Sequence, residues 1–98
     1  MALKEKNNQG KKAVALKYDP DKDAAPKVIA SGRGEIAQKI IDAAAECGIP
    51  IHTDPELVKA LISVEIGLEI PPELYGAVAE ILALIYKLDE KNSQKGLD

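Results

Sequence analysis

Residues 27–52 read KVIASGRGEIAQKIIDAAAECGIPIH, and this stretch decides the fold. Lys27-Val28-Ile29-Ala30 has the β-branched character of a short strand, and Ser31-Gly32-Arg33-Gly34 turns it into a helix. Ile36, Ile40, Ile41 and Ala44 recur at helical spacing, and Gly48 marks the helix end. Ile49-Pro50-Ile51-His52 supplies the next strand. Two strands flanking a helix within about 25 residues predict a right-handed crossover, and so a partly parallel sheet with helices packed on it.

Working outward toward the C-terminus, Asp54-Pro55-Glu56 combines an N-cap, a proline in the first turn and an early acid, and opens a helix carrying Leu57, Val58, Leu61 and Ile62. Ser63 to Ile70 reads as a connector. After Pro71-Pro72-Glu73 comes the strongest pattern in the chain: Leu74, Val78, Ile81, Leu82, Ile85 and Leu88, spaced three and four apart. The apolar stretch from Ala77 to Tyr86 is broken by Glu80 and has about half the ~20 residues a membrane helix needs, so it reads as a core helix.

Toward the N-terminus, Ala13 to Tyr18 reads as a strand closed by Asp19-Pro20-Asp21, with a loop to Pro26. Residues 1–11 are polar and aperiodic and read as a flexible basic arm or a poorly held edge strand. The folded domain is expected over 12–88, with a disordered tail at 89–98. The fold class is α/β: a small three- to four-stranded mixed, partly parallel sheet packed by about three helices.

With 98 residues, 46% of them apolar, the chain can build one core. Its net charge of -3 is unevenly placed: residues 1–17 hold five lysines and one glutamate, whereas residues 18–86 hold five bases and twelve acids. An acidic body with a single arginine, Arg33, argues against nucleic acid as a partner. A lone cysteine, Cys47, excludes an internal disulfide, and the absence of signal-peptide order in this sequence leads to an expectation of a cytoplasmic protein.

Three groups invite a chemical reading. Gly32 to Ala37 spells G-x-G-x-x-A between a strand and a helix, with Asp54 beyond the next strand, the outline of a dinucleotide fingerprint. A small nucleotide-binding domain or enzyme is therefore the alternative reading, but a complete fold of that kind needs more strands, and Glu35 puts a negative charge where phosphate would sit. Cys47, His52 and Asp54 are close in sequence, but Cys47 falls at a helix end and Asp54 has a capping role; a buried cysteine beside a satisfied histidine is expected, with no zinc-ligand spacing. Asp19, Asp21 and Asp23 alternate like the opening of a calcium loop, yet Ala24 and Ala30 occupy the positions that require glycine and glutamate. No catalytic residue, metal or cofactor is expected.

AVALKYDPDKDAAPKVIASG (13–32), SVEIGLEIP (63–71) and PELYGAVAEILALIYKL (72–88) together resemble the cytoplasmic domain of the FlhB/YscU family, the switch proteins of flagellar and virulence type III export machines. The resemblance implies a domain that hangs from a membrane-spanning half and cleaves itself within an Asn-Pro-Thr-His motif just before the AVALKYD strand. Here the aligned positions are Asn8, Gln9, Gly10 and Lys11. In the family the asparagine amide attacks its own carbonyl and the proline nitrogen leaves; proline lacks an N–H, which blocks the competing backbone attack. Gln9 restores that N–H, so this chain reads as a stand-alone, non-cleaving relative.

The resemblance further implies a shallow apolar surface for short hydrophobic export signals, which carries over to Ala25, Pro26, Ala79 and Leu82. Lys17, Tyr18 and Lys27 are the polar candidates on the same edge. Expected partners are export substrates or their chaperones and the membrane-bound gate proteins, including the full-length switch protein. Peripheral association with the membrane export gate is expected, without insertion. A paralogue without a role is a further alternative.

Overall fold

The computed structural model describes residues 1–5 and 11–85. The elements are β1 (Ala2–Lys4), β2 (Lys12–Lys17), β3 (Lys27–Arg33), α1 (Glu35–Glu46), β4 (Ile51–Thr53), α2 (Pro55–Leu61), a 3-10 turn (Pro72–Leu74) and a helix α3 over residues 75–85. Leu88 and the predicted tail lie outside the described residues.

The sheet order is β3-β2-β1-β4. β1, β2 and β3 pair antiparallel in sequence order, and β4 joins the far side of β1 in parallel. The expected mixed sheet is present. β3 and β4 run in the same direction, with α1 carrying the chain between them, but β2 and β1 lie between the two strands rather than leaving them adjacent.

The reading of residues 1–11 as an arm is corrected for Ala2–Lys4, which forms an interior strand of the sheet. Leu3 opposes Val14 on one side and His52 on the other, and both Leu3 and Ala2 are buried. Its backbone is held at both margins: Leu16 N–H donates to the Met1 carbonyl at 2.8 Å, and Ala2 N–H donates to the Pro50 carbonyl at 2.9 Å. Three residues with one large apolar side chain give no periodicity; the neighbouring strands impose this structure.

Strand alternation sends Leu3, Val14, Leu16 and Val28 to one face, where they pack with Leu57, Val58 and Leu61 of α2 and Val78 and Ile81 of α3. α2 starts as its sequence predicts, with Asp54 Oδ1 accepting from Leu57 N–H at 3.1 Å and Pro55 opening the first turn. The opposite face carries Ala2 and Ala13 beneath α1, whose own buried residues are Ala37 and Ala44. Ile36, Ile40 and Ile41 are thus not the core face of α1: Ile36 is 58% exposed and the other two are half-buried. α1 ends in a Schellman motif, with Gly48 N–H donating to the Ala45 carbonyl and Ile49 N–H to the Ala44 carbonyl.

The connector after α2 also contributes to the sheet. Gly67 N–H donates to the Val28 carbonyl at 2.7 Å, Val28 N–H to the Leu68 carbonyl at 3.0 Å, and Ile70 N–H to the Pro26 carbonyl at 2.9 Å. Lys27 and Glu69 form an antiparallel bridge. These bonds cover the outer edge of β3 over its first residues and fix Pro26 in place.

Candidate functional site

An open apolar groove of about 710 Å³ lies at the end of the sheet where β1 and β3 begin and β2 finishes. Leu16 of β2 lines it with the strand-flanking Met1 and Tyr18; Ile36 and Ile40 of α1 line it with the C-cap residue Cys47; α3 contributes Leu82 and Ile85. Pro26, Ile29, Ile49 and Pro50 also line it.

Two local features shape it. β3 pairs Val28 with Leu16 and Ala30 with Ala15, leaving Ile29 as an extra residue. This bulge re-aims the Ile29 side chain, which lines the groove and is 51% exposed. At the far end of β3, a Cβ on Gly32 would lie 2.8 Å from Ile36 Cβ and overlap Ile36 Cγ2, so only glycine lets Ile36 settle against the strand.

Of the sequence-derived residues, Pro26, Leu82, Lys17 and Tyr18 meet at the groove. The other three do not line it. Ala25 is 2% exposed and belongs to the core cluster. Ala79 is exposed on α3, next to the buried Val78. Lys27 Nζ pairs with Asp23 Oδ1 at 3.2 Å. Asn8, Gln9 and Gly10 lie outside the described residues; Lys11 donates from Nζ to Gln38 Oε1.

Sequence reasoning missed Ile29, Ile36, Ile40, Cys47 and Ile49. The signal was present in the surplus of isoleucines around α1, more apolar surface than one helix can cover on a sheet lined with alanines. Cys47 corrects a second expectation, since it is exposed at the groove rather than buried beside His52, which is half-buried on β4.

The remaining candidates are structural. Asp19 Oδ1 accepts from Asp21 N–H at 3.0 Å, and Asp23 Oδ2 accepts from Asp19 N–H at 3.1 Å, tying the acidic turn together. The Asp19 backbone bond and then the Lys27 ammonium hold the Asp23 carboxyl below its ordinary range. In the G-x-G-x-x-A segment, β3 runs on through Arg33 and no wide phosphate loop forms. Gly34 has φ +60°, and its N–H, which a phosphate would need, donates to the Lys11 carbonyl at 2.9 Å.

A family model described as the FlhB HrpN YscU SpaS family matches residues 7–85. The chain belongs to this FlhB HrpN YscU SpaS family. It is 54% identical over 74 residues to the flagellar biosynthetic protein FlhB of Aquifex aeolicus, covering 74% of this chain but 21% of that protein. It is 48% identical over 85 residues to an uncharacterized Bacillus subtilis protein, YlqH, covering 87% of this chain and 91% of YlqH. The chain thus spans about a fifth of the FlhB relative's length and most of YlqH. The crystal structure of the cytoplasmic domain of FlhB from Shewanella putrefaciens superposes with a TM-score of 0.79 at 36% identity, over 87% of this chain and 66% of that one. The EscU C-terminal domain gives 0.78 at 25% identity, over 85% and 74%. The fold is that of the export switch protein's cytoplasmic domain. Among the described residues no helix is long and apolar enough to cross a membrane.

Proposed function

We propose that this chain is a non-catalytic, protein-binding component of a flagellar or related type III export apparatus, standing in for or assisting the C-terminal cytoplasmic fragment of the switch protein. The observation that carries the reading is the groove. Pro26 and Leu82, carried over from the family's apolar surface, meet there and are flanked by Lys17 and Tyr18. A fixed proline beside an open apolar floor binds a partner's side chains by burial, at about 25 cal/mol per Å² of apolar surface removed from water. Neither turnover nor a cofactor is needed.

Asn8-Gln9-Gly10-Lys11 in place of Asn-Pro-Thr-His removes the proline leaving group, so the chain acts uncleaved. Its partners on this reading are export substrates or their chaperones and the gate proteins, with the chain at the cytoplasmic side of the export gate. The test is complementation of a strain whose full-length switch protein lacks its cytoplasmic C-terminal fragment. Expression of this chain restores export or motility, and Leu82→Ser reduces the restoration; no restoration by the expressed, folded chain refutes the role. Intact mass on prolonged standing stays at the full value, and a fragment beginning at Gln9 would refute the non-cleaving part.

A further inference from the structure

The groove extends well past Pro26 and Leu82. Ile36, Ile40, Ala43 and Cys47 all line it, and their spacing of four, three and four makes them one stripe along α1 and its C-cap. The eleven rises of 1.5 Å from Ile36 to Cys47 make this wall about 16 Å long, the reach of about five residues of extended chain. Among the described residues nothing covers the wall: Ile36 is 58% exposed, and Ile29 and Ile49 beside it are 51% and 41% exposed.

Among the described residues, the charged side chains that line the groove have one sign: Lys17, at the end of β2, and Lys39, on α1 between Ile36 and Ala43. Both lysines are exposed, and neither has a salt bridge among the described residues. Of the acids near these lysines, Asp23 feels the charge of Lys17 and is paired with Lys27, Asp42 of α1 accepts from Gln38 Nε2 at 2.8 Å and keeps its charge, and Glu35 and Glu46 lie on α1 outside the groove lining. This cationic margin stands on a body in which residues 18–86 carry twelve acids against five bases.

We infer that the α1 wall is the specificity-determining half of the groove and that it selects an apolar protein segment flanked by acidic residues. The inference rests on the docking reading above and adds the chemistry of the docked segment. Apolar side chains fill the floor between Ile29, Ile36 and Ile40, while flanking carboxylates meet Lys17 and Lys39. The same lysines repel segments with basic flanks, and the acidic body repels acidic segments anywhere else, so charge fixes both the choice of partner and its place.

The experiment uses the full chain, uniformly labelled with nitrogen-15, and three synthetic peptides sharing a Leu-Leu-Ala-Leu-Leu core. Their flanks are two aspartates, two serines or two lysines on each side. The aspartate-flanked peptide is expected to perturb the amides of Ile29, Ile36, Lys39 and Ile40 and to bind about tenfold more tightly than the lysine-flanked one at low salt. At about 1 M salt, where the Debye length falls to about 3 Å, that preference collapses. Ile36→Ser, at an exposed position that keeps the amide spectrum of the folded chain, weakens the aspartate-flanked peptide. Lys17→Glu with Lys39→Glu reverses the ranking of the flanks. Equal binding of all three peptides at the groove overturns the inference and leaves the docking reading standing. Unchanged binding by Ile36→Ser overturns the role of the α1 wall in the same way. No perturbation by any peptide overturns both.

Discussion

The two faces of the sheet are built from side chains of different size. On the α2 and α3 face, Leu3, Val14, Leu16 and Val28 meet Leu57, Val58, Leu61, Val78 and Ile81, all at or below 7% exposure. On the α1 face, contact is made by alanines: Ala2 and Ala13 from the strands, Ala37 and Ala44 from the helix. The first face holds most of the apolar volume and hence most of the stability. The second brings α1 close to the strands, and the isoleucines that would form an ordinary helix–sheet core are pushed to its margin, where they make the groove. One face stabilises; the margin of the other lines the groove together with Leu82 and Ile85 of α3.

This division can be broken in order of expected effect. Leu61→Ala, at a fully buried position against the sheet, is expected to cost about 3 kcal/mol in urea unfolding, through lost burial and the cavity left behind. A cost below about 1 kcal/mol would mean that the large-residue face is not the stabilising one. Ala37→Leu has no room between α1 and the strands and is expected to destabilise by about 2 kcal/mol, with amide shifts spread over α1 and β2. Ile36→Ser removes as large an apolar side chain as Leu61→Ala does, yet is expected to cost less than about 1 kcal/mol, because 58% of it is already in water. A large loss there would make Ile36 a core residue and abolish the distinction between the faces.

The smallest effect concerns the turn before Pro26. Asp23 has a folded pKa lowered by the Asp19 backbone bond and the Lys27 ammonium. A lowered folded value favours the native state wherever the carboxylate is charged. The contribution is therefore complete above the ordinary carboxylate range and disappears as pH falls through the lowered folded value. Asp23→Asn removes it: the variant is expected to be slightly less stable than the parent near neutrality, and the difference between their thermal midpoints is expected to close as the solution is acidified. A difference that persists unchanged into acid would assign the effect to packing instead.

The fold was legible where a local signal and its tertiary use coincide. Asp54 caps α2, Gly48 closes α1, and Val78 and Ile81 of the C-terminal stripe face the core, each through a device contained within a few residues. It was not legible where structure is borrowed. β1 takes its conformation from strands on both sides, and residues 67–70 take theirs from the edge of β3, so neither segment carries a period of its own. The site divides similarly. Pro26 and Leu82 of the groove were singled out through family likeness, whereas the α1 wall escaped because Ile36 and Ile40 have the spacing of core residues, and only the alanines opposite show that they are surplus. Reading β3 as four residues also hid the bulge that turns Ile29 outward.

The position of β1 has a consequence for the link that follows it. Residues 5–11 join β1 to β2, and the resemblance to the family aligns Asn8 to Lys11 of this link with the cleavage motif. In a chain cut there, β1 is attached to β2 and β4 by the contacts of three residues alone, and the occupancy of that slot depends on whatever else tethers the upstream piece. In a chain that keeps the link, β1 is a permanent intramolecular ligand for its own slot, with an effective concentration set by a handful of residues and insensitive to dilution. Such a domain carries its own β1 between β2 and β4, and it has no vacancy for a β1 strand supplied by another molecule.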